Sequence, residues 1–134
     1  MVVHRNLPLT MLAWLGVLCA PLAAVFPLMA DPLRIGVIGM DTSHAEQFTM
    51  RLNDPANPNH VPGGRVVAAY PCGSEDLPES ISRLPEFTAT LKDKYGVRIV
   101  GSIAALCAEV DAVMVLSLDG RPHLEQAKEV MTFG

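Results

Sequence analysis

The sequence contains no cluster of lysine or arginine residues. Its 134 residues include 10 basic and 14 acidic ones, which gives a formal net charge of −4 at pH 7. Proteins that bind nucleic acid or anionic membrane surfaces present a basic face, because both partners are negatively charged. The composition therefore argues against nucleic acid and against an anionic membrane surface as partners.

The sequence is also poor in cysteine. Its three cysteines, Cys19, Cys72 and Cys107, lie far apart and form no C-x-x-C pair. Disulfide frameworks and structural zinc sites both need paired or closely spaced cysteines. We therefore expect neither a disulfide-stabilised fold nor a metal site.

The first thirty residues contain almost no charge. Residues 6–30 carry none, a basic residue precedes them, and Ala30 is a small residue at their end. This arrangement is typical of an export signal, which predicts a periplasmic protein. The alternatives are an uncleaved anchor, with membrane association through residues 6–30, and a misassigned start codon, with a cytoplasmic protein. In each interpretation the globular domain is residues 31–134.

Residues 31–134 alternate between apolar runs of strand length and segments of helical periodicity. Continuous apolar runs are typical of parallel strands that are buried on both faces, whereas apolar residues every three or four positions indicate helices. We predict strands at 34–39, 66–70, 97–100 and 112–116, and helices at about 44–53, at 81–95, from 102 and from 122. This alternation predicts an α/β fold, a Rossmann-like doubly wound parallel sheet in the order 3-2-1-4.

Local signals predict how three of the helices begin and what the last one buries. Ser43 and Glu46 have the spacing of a capping box, so Ser43 is the expected cap of the first helix. Ser102 is the expected cap of the third helix, and Pro122 suits the first turn of the fourth. The apolar residues that the fourth helix is expected to bury are Leu124, Ala127, Val130 and Met131.

The turn after the first strand departs from the phosphate-binding pattern of dinucleotide-binding folds. That pattern is G-x-G-x-x-G, and its later glycines let the backbone approach a pyrophosphate. Here the six positions read Gly39-Met40-Asp41-Thr42-Ser43-His44, so one glycine of three remains. Amides at a helix start and the hydroxyls of Thr42 and Ser43 favour an anion. The alternative is a helix that is capped by its own side chains and binds no ligand.

Asp41 is the residue of this turn that opposes a phosphate. A like-charge contact at ~4 Å costs on the order of 4 kcal/mol at an effective dielectric of about 20. A dinucleotide therefore requires the Asp41 side chain to turn away from the phosphates or to hydrogen-bond a ribose hydroxyl. Asp41 and His44 also form an acid–imidazole pair in sequence, for which a structural hydrogen bond is favoured over proton transfer or metal binding.

A second group of polar residues follows the fourth strand. The group comprises Ser117, Asp119, Arg121, Pro122 and His123. Because the ends of strands one and four converge on one crevice of a parallel sheet, we expect this group to face the turn at residues 39–44. The alternative is that Asp119 only caps the last helix and that Arg121 is solvated.

Four segments in this order resemble the N-terminal half of the Gfo/Idh/MocA oxidoreductase family, the relatives of glucose–fructose oxidoreductase and inositol dehydrogenase. They are RIGVIG at 34–39, KYGVRIVGSIAALCAEVDAVMV at 94–115, DGRPH at 119–123 and LEQAKEVMTFG at 124–134. The resemblance implies a Rossmann domain that binds NAD or NADP between residues 39–44 and Ser117, Asp119, Pro122 and His123. It also implies that His123 approaches the nicotinamide, that the substrate is a sugar or polyol, and that the full-length protein is a homo-oligomer.

The family pattern continues with a Glu/Asp-Lys-Pro segment that supplies the catalytic lysine, and then with a substrate domain. Neither lies within the 134 residues. We therefore expect an incomplete domain that is not catalytically competent by itself, and we assign it no catalytic residue. The alternative function is an exported Rossmann-like binding or scaffold module without redox activity.

Overall fold

The computed structural model describes residues 31–134, so the predicted export signal or anchor at residues 6–30 lies outside the described residues. Strands and helices alternate along the described part, as the hydrophobic pattern predicts. In chain order they are β1 (Leu33–Ile38), α1 (Ser43–Asn53), β2 (Gly64–Tyr70), α2 (Pro78–Tyr95), β3 (Arg98–Ile99), α3 (Ile103–Cys107), β4 (Ala112–Val115) and α4 (His123–Met131). No helix within residues 31–134 is both long enough and apolar enough to cross a membrane.

The strands form one parallel sheet in the order β3-β2-β1-β4. This confirms the predicted order 3-2-1-4 and the Rossmann-like arrangement. β1 lies between β2 and β4, and its residues Val37 and Ile38 are completely buried. The buried part of β1, residues 35–38, therefore lies where helices cover both faces of the sheet.

Two apolar clusters pack the helices onto the two faces of the sheet. Val37, Met40 and Leu91 belong to the cluster beneath α1 and α2. Ile38, Ala68 and Leu106 belong to the cluster beneath α3 and α4. Because successive residues of β1 point to opposite faces, neighbours such as Val37 and Ile38 serve different clusters.

The residue that caps α1 is Thr42, so the prediction of Ser43 as the cap is wrong. Thr42 has an extended backbone (φ −130°, ψ 154°), and its Oγ1 accepts a hydrogen bond of 3.0 Å from the His44 amide. The helix begins at Ser43, which leaves the Ser43 side chain exposed. The predicted cap of α3 is confirmed, because Ser102 Oγ accepts from the Ala105 amide at 3.1 Å.

α4 does not bury the face that its periodicity predicts. Leu124 is 63% exposed and Met131 is 77% exposed, whereas Ala127 and Val130 are half-buried. The helix packs against α3 and β4 at the edge of the sheet, and no further strand follows β4 within residues 31–134. The apolar stripe of α4 is therefore wider than the surface that it covers.

Candidate functional site

Three loops meet at the carboxyl edge of the sheet: residues 39–42 after β1, residues 71–77 after β2 and residues 116–122 after β4. They adjoin because β2 and β4 flank β1 and all three strands run in parallel. Ligands of open α/β sheets bind at this edge. All the residues that the sequence singles out as candidate site residues lie in these loops or in the first turn of α1 or α4.

Gly39, just after β1, and Ser117, just after β4, lie very close together at the floor of the crevice between these loops. Gly39 has φ +84°, and a Cβ placed on it would lie 2.3 Å from the backbone nitrogen of Ser117. Ser117 is itself only 5% exposed, and its Oγ lies 3.1 Å from Gln126 Nε2. The remaining glycine of the fingerprint is therefore needed for backbone packing between the ends of β1 and β4.

Asp41 lies beneath the surface and joins the three loops. Its side chain is completely buried, its Oδ1 accepts from the Leu118 amide at 2.9 Å, and its Oδ2 accepts from Ser80 Oγ at 2.6 Å. Ser80 Oγ accepts in turn from the Ser74 amide at 2.8 Å. A buried carboxylate is tolerated when donors satisfy its oxygens. We call Asp41, Ser80 and the Leu118 amide the buried junction.

The expected hydrogen bond between Asp41 and His44 does not form. Within residues 31–134 the Asp41 side chain accepts hydrogen bonds from Ser80 Oγ and from the Leu118 amide, and none from His44. His44 is exposed, and its ring lies 6.1 Å from that of Phe48 on the next turn of the helix. The prediction was wrong because Asp41 precedes the helix in the turn, so its side chain does not share a face with His44.

The accessible part of the turn is short. Met40 and Thr42 are buried, whereas Ser43 and His44 are exposed at the start of α1. Thr42 already engages the amides of His44, through Oγ1 at 3.0 Å, and of Ala45, through its carbonyl at 3.3 Å. The Ser43 amide and hydroxyl are therefore the groups best placed to meet an anion at the positive end of the helix.

A charged network connects the loop after β2 with the loop after β4. Arg121 donates two hydrogen bonds to Asp76, at 2.8 and 2.9 Å, and its Nε donates to Asp119 at 2.8 Å. Ser74 Oγ donates to Asp119 at 2.6 Å. Hydrogen bonds from the Arg121 guanidinium, and secondly from Ser74, hold the pKa of Asp119 far below its ordinary value. Arg121 also lowers the pKa of Asp76.

This network contradicts the alternative interpretation of the loop after β4, in which Asp119 caps α4 and Arg121 is solvated. Pro122 occupies the residue before α4 and makes no side-chain cap, so Asp119 does not cap that helix. Arg121, although 63% exposed, is paired with two carboxylates. Asp76 and Ser80 could not be predicted as partners in this region, since both lie in polar segments without a motif.

His123 and Cys72 are both turned inward. His123 Nε2 donates to the carbonyl of Ser117 at 2.8 Å, which holds the ring against the end of β4. Cys72 Sγ lies 3.8 Å from Ser117 Oγ and 3.4 Å from Gln126 Nε2, and burial raises the pKa of its thiol. A raised thiol pKa favours the unreactive neutral form. Residues 31–134 contain no group of three or more His, Cys, Asp or Glu side chains placed to hold a metal ion.

The fold resembles that of a known protein structure. No family model matches the sequence, and no curated protein matches it. The chain is similar to UDP-N-acetylglucosamine 3-dehydrogenase GnnA from Acidithiobacillus ferrooxidans, with 22% sequence identity and a TM-score of 0.50. The alignment covers 78% of this chain and 28% of the dehydrogenase chain. The likeness shows the fold.

The structure permits a direct test of whether a dinucleotide suits the crevice. Asp41 is turned inward and hydrogen-bonded, so the acid at the second glycine position does not project toward a phosphate laid over the turn. Ser43 is exposed at the start of α1. These residues fit a phosphate group at the helix start, although without the close backbone approach that a second glycine would allow.

Proposed function

We propose that this chain is the nucleotide-binding, Rossmann-like half of a Gfo/Idh/MocA-like oxidoreductase that acts on a sugar or polyol, with NAD or NADP as the cofactor. The observation that carries the proposal is the buried, inward-facing position of the Asp41 side chain. It leaves Ser43 and His44 as the exposed start of α1 at the carboxyl edge of a 3-2-1-4 sheet. The named structural neighbour, a sugar-nucleotide dehydrogenase, supports the choice of reaction class.

Within this proposal the chain supplies binding and orientation. The Ser43 amide and hydroxyl would bind a phosphate, assisted by the dipole of the eleven-residue helix α1. The loop at residues 117–123, with Asp119 at its rim, would lie beside the nicotinamide end. When bound, the nicotinamide supplies the hydride transfer. A substrate-contacting domain and a catalytic lysine would have to come from outside residues 31–134.

A change at Ser43 separates phosphate binding from folding. Ser43→Asp places a negative charge in the first turn of α1, where it stabilises the helix but repels a phosphate. We expect the full chain to bind NADH saturably in a fluorescence titration, and Ser43→Asp to weaken that binding by at least about tenfold, the equivalent of about 1.4 kcal/mol. Ser82→Asp is the matched control, because Ser82 is exposed on α2. Equal binding by Ser43→Asp and wild type would contradict the proposed phosphate site.

A second candidate function is a binding or scaffold module without redox activity, exported if residues 1–30 are an export signal. Its supporting observation is that Met40, Asp41 and Thr42 are buried, so most of the turn between β1 and α1 has a structural role. The same NADH titration discriminates the two candidates. No NADH binding by the folded full chain would favour the scaffold.

A further inference from the structure

The loops after β2 and β4 contact each other directly across the end of β1. Ser74 reaches Asp119 at 2.6 Å and Asp76 reaches Arg121 at 2.8 Å, although 45 residues separate the members of each pair. β2 and β4 are not neighbours in the sheet, because β1 lies between them. These side chains therefore bridge the space above the β1–α1 turn, through which a ligand that spans from β2 to β4 would have to pass.

We propose that Ser74, Asp76, Asp119 and Arg121 form a clasp that must open before a dinucleotide can lie across the crevice, and that Arg121 holds it closed. This inference rests on the proposed function. The clasp shares no side chain with the buried junction. In the closed form Arg121 is a positioning residue, because it fixes both loops through carboxylates.

Exposure shows where the clasp opens. The side chains of Arg121 and Asp76 are 63% and 64% exposed, whereas that of Asp119 is only 8% exposed. An exposed ion pair contributes little to stability because water and salt screen it. Asp119 is instead held from three directions, by Ser74 Oγ, by the Arg121 amide and by the guanidinium. The Arg121–Asp76 pair is thus the link that separates at least cost.

Opening the clasp leaves the fold intact. The buried junction joins the same loops through Asp41, Ser80 and the Leu118 amide and uses none of the clasp side chains as partners of Asp41. The ends of β1 and β4 also stay joined by the 2.7 Å bond from the Leu116 amide to the Ile38 carbonyl. The outer loops can therefore separate while the floor of the crevice is retained.

The test compares NADH binding by the full chain and by Arg121→Gln, which removes the charge that bridges the two carboxylates. If only the open form of the protein binds NADH, the apparent affinity rises in proportion to the fraction of molecules that are open. We expect Arg121→Gln to bind NADH about three- to tenfold more tightly, mainly through faster association. Asp76→Asn, which breaks only the exposed pair, should act in the same direction. Lys128→Gln is the control, because it removes an exposed ion pair on α4 outside the clasp.

Hydrogen exchange supplies a measurement that does not depend on NADH. Amides in residues 75–77 and 119–121 should exchange faster in Arg121→Gln than in wild type, while those of β1 and β2, and those of Ser74 and Leu118 at the buried junction, keep their protection. If the wild type binds NADH and a folded Arg121→Gln binds it equally well or more weakly, the clasp is overturned but the proposed function is not. Weaker binding would mean that Arg121 contacts the ligand. Absence of NADH binding by every variant would overturn the proposed function together with this inference. If Arg121→Gln does not fold, Asp76→Asn decides the question.

Discussion

The carboxyl edge of the sheet and the outer edge formed by β4 and α4 are organised in opposite ways. At the carboxyl edge, polar side chains such as Asp41, Ser80 and Ser117 are buried and each has a hydrogen-bond partner. At the outer edge, the apolar side chains of Met131 and Phe133 are exposed beside a cavity of about 190 Å³. At the carboxyl edge the chain itself supplies the hydrogen-bond partners. At the outer edge it exposes apolar side chains and one edge of β4 that pairs with no other strand of residues 31–134.

The two regions differ in what stabilises them. Buried polar groups need specific partners at specific distances, because an unpaired one costs about 1–3 kcal/mol. Exposed apolar side chains are stabilised by any surface that removes them from water, because the hydrophobic effect is not directional. Substitutions at the carboxyl edge should therefore affect stability strongly, and substitutions at the outer edge should affect association.

The largest expected effect is that of Gly39→Ala. The new Cβ would lie 2.3 Å from Ser117 N at a residue with φ +84°, so steric overlap and backbone strain add. We expect a loss of roughly 4 kcal/mol in the free energy of unfolding, measured by urea denaturation. Gly101→Ala is the control, because nothing lies within 4 Å of its added Cβ and its φ does not favour glycine. Similar small effects at both positions would refute the close approach of β1 and β4.

The next largest effect is that of Asp41→Ala. The change leaves the buried Ser80 hydroxyl and the partly buried Leu118 amide without their acceptor. We expect a loss of about 3 kcal/mol in the free energy of unfolding. The matched control is Asp93→Ala on the exposed surface of α2, with a change within about 0.5 kcal/mol. If the two variants unfold at the same urea concentration, the buried junction does not hold the loops together.

The outer edge should respond through association. β4 is an edge strand in the described sheet, and unpaired edges recruit other chains. We expect the fragment 31–134 to self-associate in sedimentation experiments, and Met131→Lys with Phe133→Ser to weaken association by roughly tenfold. Lys128→Gln on the same helix should leave association unchanged. A fragment that stays monomeric at all concentrations would contradict this view of the edge.

The smallest effect is acid sensitivity from the pair that joins the starts of β1 and β4. Arg34 donates to Asp111 at 2.6 Å and lowers the pKa of Asp111 from 3.8 to about 2. A carboxyl whose pKa is lower in the folded state stabilises above pH 4, and that stabilisation is lost as the pH falls toward 2. The melting temperature should therefore fall over this range by slightly less in Arg34→Gln than in wild type. Parallel curves would show that this exposed pair contributes nothing.

Sequence patterns predicted the fold well, because burial determines it. The apolar runs of β1 and β4 and the periodicity of α1 depend on local residue order, so they predicted the elements and, with the handedness of crossovers, the strand order. The partners of Asp41 could not be predicted. Ser80 and Leu118 are 39 and 77 residues away and lie in no motif, so only the folded chain brings them together.

The exposed apolar residues of α4 show a second limit of prediction from sequence. Periodicity indicates which residues share a helix face, but not whether another element covers that face. Leu124 and Met131 were expected to be buried and are exposed, because α4 lies at the edge of the sheet. The choice of Ser43 as the cap of α1 failed for a smaller reason, since Thr42 and Ser43 are adjacent residues that both favour that position.

Titration of the ¹⁵N-labelled full chain with NADH, followed by amide chemical shifts, tests the central claim most directly. The account predicts saturable shifts at Ser43 and His44 and in the loop at residues 117–122, with the amides of Val110 and Ala112 at the outer edge unmoved. Shifts confined to the outer edge, or none at millimolar NADH, would contradict the claim that the carboxyl edge binds a dinucleotide.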